Sequence, residues 1–139
     1  MTAEFPVAVH ALVYLLHTGD VTSSEKLSDN ICTNPARVRK VMAKLCRAGL
    51  ARCSQGKGSG YTTRADGGEI TLRAVMEALC ETPVNMNWRS GDELRDCPIC
   101  SGMGGEMDRI YAGLNEKCMR ELDGVTIGSI SADIFKKRG

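Results

Sequence analysis

At 139 residues with 42% hydrophobic side chains, the chain is long enough to bury one core, and with 4% aromatic residues that core should pack through Leu, Val, Ile, Ala and Met. No window offers the roughly 18 uncharged apolar residues of a membrane span, and Glu4 stands where a signal peptide would carry basic residues. The formal net charge is only +1, yet the charges are strongly segregated along the chain.

Residues 6–17 read as a first helix, with Val7, Ala8, Ala11, Leu12, Leu15 and Leu16 available to a core. His10 and His17 lie on it without a cysteine or carboxylate cluster nearby, and read as surface or core-edge side chains. Gly19 and Asp20 make a turn. Thr22 and Glu25 have the spacing of a capping box for a short second helix, buried through Leu27 and Ile31.

Asn34 is a good N-cap and Pro35 suits the first position of a third helix, where its missing N–H costs nothing. Val38, Val41, Met42 and Leu45 recur at i, i+3, i+4, i+7, one apolar face. Arg37, Lys40, Lys44 and Arg47 form another face at helical spacing, with Arg39 beside them. Gly49 is placed to end the helix. Residues 50–54 and 61–64 read as two short strands, joined by a turn through Gly56, Gly58 and Gly60.

Between Asn30 and Ala65 there are eight Lys or Arg and no Asp or Glu, so all seventeen acids lie elsewhere. A short helix, a brief connection, a basic helix and a basic two-stranded wing are the footprint of a protein that reads the DNA major groove. The plain alternative is a solvated basic helix beside an unrelated hairpin. The candidate DNA contacts are Asn34, Arg37, Arg39, Lys40, Lys44 and Arg47 on the helix, and Gln55, Lys57, Ser59 and Tyr61 in the wing. Arg37 and Lys40 are expected at base edges; Lys44, Arg47 and Lys57 are expected on phosphates.

Thr71 should cap a further helix running to about Cys80, with Leu72, Val75, Met76 and Leu79 inward. Residues 82–101, broken by Pro83, Gly91 and Pro98 and holding the lone Trp88, read as a loop of the functional or mobile kind. Met103, Met107, Ile110, Leu114, Cys118 and Leu122 then recur every three or four residues, the apolar seam of a long dimerisation helix. A last short helix should cover residues 125–135. The organisation is a winged helix-turn-helix domain over 1–81, a candidate sensory loop over 82–101, and dimerisation and C-terminal helices over 102–139.

Seven cysteines, an odd count in a chain without the character of a small secreted protein, suit a reducing cytoplasm. Cys97 and Cys100 flank a proline at the mouth of a helix, where the positive end of the dipole favours thiolate, and Cys32 lies at the approach to the basic helix. A thiol switch is the favoured reading, with oxidation joining Cys97 or Cys100 to each other or to Cys32 of a second copy. Cys46 and Cys80 read as buried small residues, and Cys53 is left open. No metal and no cofactor is expected. An iron–sulfur cluster or zinc ion would need ligands beyond Cys97 and Cys100, and no histidine lies in that region. Nor is enzymatic chemistry expected: there is no nucleophile–base pair, no Walker-type loop, and no βαβ setting for a redox Cys-x-x-Cys.

The runs VAVHALVYLL, SSEKLSDNICTNPARVRKVMAKLCRAGL, GKGSGY and EITLRAVMEAL, in that order, together resemble the Rrf family of bacterial winged-helix transcription regulators, relatives of IscR, NsrR and CymR. Val7 to His10 and the Thr33-Asn34-Pro35 approach resemble a YwnA-like branch. The resemblance implies a mainly α fold and a homodimer on a double-stranded, pseudo-palindromic operator, usually repressing. Cluster-binding relatives place three cysteines just before the long helix, whereas this chain has two. It departs from the pattern in two other ways. Gln55 stands where the wing commonly opens with Arg, leaving Lys57 to supply the charge, and Glu4, Phe5 and Pro6 replace the basic N-terminus of many members. A cluster-binding or small-molecule-responsive regulator, the latter using the 82–101 loop as its pocket, and a protein-interaction adaptor are the other readings.

Overall fold

The computed structural model describes residues 1–138; Gly139, the end of the C-terminal segment drawn from sequence, lies outside them. Six helices and two strands follow in order: α1 (Glu4–Thr18), α2 (Ser24–Ile31), α3 (Pro35–Arg47), β1 (Ala51–Ser54), β2 (Gly60–Thr63), α4 (Leu72–Ala78), α5 (Pro98–Asp123) and α6 (Ile127–Arg138). A 3-10 turn, Gly67–Glu69, links β2 to α4. The fold is mainly α, with one antiparallel pair as the wing.

The core forms where the apolar stripes of α1, α2, α3 and α4 meet. Leu12, Leu15, Leu27, Val38, Val41, Met42, Leu45, Val75 and Met76 are all essentially removed from water, and Ile70 and Ile127 close the same cluster from the chain ahead of α4 and from α6. Truncating any one of the leucines to Ala should cost about 2–5 kcal/mol. Helix α1 starts two residues earlier than its sequence pattern suggests. Pro6 is tolerated in its first turn because the N–H it lacks has no intrahelical partner there.

Asn34 caps α3 as expected, its Oδ1 accepting the Arg37 N–H at 2.8 Å, and Thr71 caps α4 by accepting the Ala74 N–H at 3.0 Å. The cap of α2 is a correction. Ser23 accepts the Lys26 N–H at 3.1 Å, while the neighbouring Thr22 is buried and pairs with the wing. Thr22 N–H donates to the Tyr61 carbonyl at 3.0 Å, and Tyr61 N–H donates back at 2.8 Å. The chain ahead of α2 thereby adds a single-bridge third strand beside β2.

The tip of the wing turns through Gly56 (φ 93°) and Gly58 (φ 79°), a backbone region that favours glycine. Gly60, expected in that turn, is the first residue of β2 instead. A Cβ there would stand 2.5 Å from the Thr22 carbonyl oxygen, so its lack of a side chain serves the Thr22 rung.

Helix α5 begins at Pro98, so Cys100 and Ser101, drawn in the loop from sequence, form its first turn. Proline at the first helical position is preorganised for that start. The segment before α5 lies along it: Asn115 bonds Val84, and Arg89 reaches Asp108 at 2.9 Å and Glu93 at 2.7 Å. Cys80, read as buried, is exposed. It follows the end of α4 in the left-handed conformation (φ 55°), the usual backbone for the residue after a helix.

A candidate nucleic-acid interface

Burial of Val38, Val41, Met42 and Leu45 fixes the rotation of α3, so the remaining positions must face outward. Arg37, Arg39, Lys40 and Arg47 are exposed and Lys44 is half-buried. The wing carries Arg52, Gln55, Lys57 and Ser59 in exposed positions, with Tyr61 half-buried on β2 opposite Cys53. Burial pushes the Tyr61 hydroxyl up from its ordinary range, keeping it protonated and able to donate.

The eight cations between residues 30 and 65 divide evenly. Arg64 pairs with Asp66 at 2.7 Å and Arg39 with Glu25 at 3.7 Å. Lys40 and Lys44 both meet Glu4, at 3.2 and 2.7 Å. Arg37, Arg47, Arg52 and Lys57 carry no ion pair among the described residues. Two of these, Arg37 and Arg47, lie on α3; Arg52 and Lys57 lie on the wing. Arg52 was not among the sequence candidates, although the acid-free stretch contains it. Glu4 was also missed, because only the fold brings it to residues 36 and 40 positions away.

Glu4 sits in the first turn of α1, where the helix dipole favours a carboxylate. The hydrogen bond from Lys44 Nζ, then that from Lys40, holds its carboxyl below the usual range against the opposing effect of burial. Arg39 Nη1 also reaches the Ser24 hydroxyl at 3.4 Å, tying the other flank of α3 to α2.

The cysteines fall into different settings. Cys32 is exposed and closes α2 in the left-handed conformation (φ 65°), two residues before the Asn34 cap. Cys97 is exposed at the N-cap of α5, and Cys100 is half-buried in the first turn. Burial, with the nearby Cys53, pushes the Cys46 thiol up, which suits an unreactive packing residue. On α5, Met103, Ile110 and Leu114 are 40%, 45% and 45% exposed, and Met107 and Cys118 are half-buried. The expected seam is therefore present as an apolar stripe that its own domain leaves largely uncovered.

A family model described as "Rrf2: Iron-dependent Transcriptional regulator" matches residues 1–133. The chain belongs to the Rrf2 family of transcriptional regulators. Among curated proteins none matches its sequence. Among solved structures it is similar to a candidate transcriptional regulator from Lactobacillus plantarum, with a TM-score of 0.82 at 21% identity over 96% of this chain and 91% of that one. It is also similar to IscR of T. potens (TM-score 0.69, 14% identity, 96% and 87% covered). CymR, the global cysteine regulator of B. subtilis, gives a TM-score of 0.67 at 15% identity over 95% of each chain. At these identities the likenesses speak for the winged-helix fold alone. No helix among the described residues is long and apolar enough to cross a membrane.

The family description names iron, so the donor set of this Rrf2 chain can be tested. Among the described residues no three His, Cys, Asp or Glu side chains converge as a metal site would require. The start of α5 supplies Cys97 and Cys100 only, the first exposed at the N-cap and the second half-buried in the first turn. These residues do not fit an iron centre held by one chain.

Proposed function

We propose that this Rrf2 regulator is a homodimeric repressor that reads a pseudo-palindromic operator with α3 and the wing, and that oxidation of its thiols releases the DNA. The DNA reading is carried by one observation: four cations, Arg37, Arg47, Arg52 and Lys57, that carry no ion pair among the described residues and are distributed over a helix and hairpin with no acid of their own. Asn34 and Arg37 open α3 toward base edges, with Lys40 behind them. Arg47, Arg52 and Lys57 neutralise phosphates, while Gln55, Ser59 and the Tyr61 hydroxyl donate to the backbone. Lys44 is relieved of the phosphate role, because Glu4 already occupies it at 2.7 Å. Selection from a random duplex pool tests this. Inverted half-sites about one helical turn apart, roughly 34–36 Å, should be enriched, and a pool without enrichment overturns the reading.

Pairing of two copies through the Met103, Met107, Ile110, Leu114 and Cys118 stripe is supported by its exposure. The thiol reading rests on Cys97 at the N-cap and Cys100 in the first turn of α5, beside that stripe. Two thiols would pass two electrons and two protons to a peroxide, forming one S–S bond and water. Operator affinity should fall under peroxide and recover with a thiol reductant. Peroxide sensitivity as great as wild type in both the Cys97→Ser and Cys100→Ser variants would overturn this arm. A second reading of the signal is favoured by the cleft of about 790 Å³ between the 82–97 segment and α5, where Trp88, Met103, Met107 and Tyr111 present an apolar wall to a small molecule.

A further inference from the structure

The reading stretch has no acid of its own, and two reach its helix from outside: Glu25 meets Arg39 at 3.7 Å, while Glu4 takes two lysines at once. The Glu4 carboxylate places Oε1 3.2 Å from Lys40 Nζ and accepts a hydrogen bond from Lys44 Nζ on Oε2 at 2.7 Å, so each oxygen serves one cation. The pair with Lys44 is well shielded, the two side chains being 16% and 30% exposed. Its placement is rigid. Phe5 and Val7, directly after Glu4, are buried in the core, and ahead of it Thr2 donates its N–H to Glu81 at 3.1 Å and its hydroxyl to the other Glu81 oxygen. Glu4, Lys40 and Lys44 wall a cleft of about 710 Å³ that Asn34 and Arg37 also line, so the carboxylate borders the surface assigned to DNA.

Sequence-independent affinity for duplex DNA is governed by how many cations neutralise phosphates and release counterions. A lysine already neutralised by a carboxylate adds no such contact until that pair breaks, and the carboxylate itself repels an approaching phosphate. We propose that Glu4 is an internal counter-anion that withholds Lys44, and in part Lys40, from the DNA backbone and so limits the protein's affinity for DNA of arbitrary sequence. Recognition is left to depend on Arg37 and the other cations free of ion pairs. This inference rests on the DNA-binding reading and names the residue that sets its balance of specific and non-specific binding.

The test uses the full chain and fluorescence anisotropy with a duplex of random sequence, titrated between 50 and 200 mM salt, roughly the span over which counterion release is usually read. Glu4→Gln should steepen the slope of log affinity against log salt by about one to two, and strengthen binding roughly tenfold per released cation near 0.1 M. Lys44→Gln should leave the slope as it is, since Lys44 is not among the phosphate contacts. An unchanged or shallower slope in Glu4→Gln overturns the proposal. So does a loss of about one unit in Lys44→Gln, and that arm decides the matter even if Glu4→Gln does not fold. A wild-type chain that binds no duplex at low salt fails the DNA reading itself, and this inference with it.

Discussion

Asn115 on α5 grips Val84 by both of its backbone groups. The Val84 N–H donates to Asn115 Oδ1 at 2.7 Å, and Asn115 Nδ2 donates to the Val84 carbonyl at 2.9 Å. A single side-chain amide thus does for the loop what a neighbouring strand would do, satisfying a partly buried donor and acceptor together. Asn115→Ala should cost about 1–3 kcal/mol through the two groups left unpaired. The local signature is faster amide exchange across residues 82–97 with little change in α3. Uniform exchange in both regions would mean that Asn115 does not hold the loop.

The same pair marks where the sequence was legible. Helix α3 could be read because its signals are local: the Asn34 cap, Pro35, and four apolar residues at helical spacing. The 82–97 segment could not be read, because Asn115 and Asp108, up to 31 positions away, decide its path. At the start of α2, Thr22 and Ser23 are both competent caps, and the tertiary pairing with Tyr61 decides between them. The basic face was visible as composition. Which of its cations are free was not, since the Glu4 contact to Lys44 spans 40 residues.

Gly60 carries the second prediction. A methyl at this position meets the Thr22 carbonyl oxygen at 2.5 Å, so Gly60→Ala should break the rung that joins the wing to the chain ahead of α2. The expected loss is about 1–3 kcal/mol in urea unfolding, with weaker DNA binding from a misplaced wing. Stability equal to wild type would show that the wing adjusts freely.

The Glu4 pair also predicts a pH dependence. Its folded pKa is depressed, so the stabilisation is fully present above the ordinary glutamate range of about 4.3 and is lost as pH falls through the lower folded value. Wild type should exceed Glu4→Gln by up to about 1 kcal/mol at pH 7, and the difference should shrink in acid. A difference that persisted well below pH 4, roughly the free carboxylate range, would assign the effect to packing instead.

Assembly gives the fourth. Replacing Ile110 and Leu114 by Glu puts charge on the exposed stripe of α5, and should yield a folded monomer in sedimentation at micromolar concentration. The same variant should lose binding to an inverted repeat while the helical signal is kept. A variant that stays dimeric would move the interface away from α5.

The most direct test of the central claim is the salt dependence of binding to the selected duplex for Arg37→Ala and Lys57→Ala beside wild type. Lys57→Ala should weaken every sequence alike and flatten the salt slope by about one, as the loss of a phosphate contact requires. Arg37→Ala should relax specificity at one base position by about 1–3 kcal/mol. Wild-type affinity, slope and specificity in both variants would contradict the assignment of α3 and the wing as the DNA-reading surface.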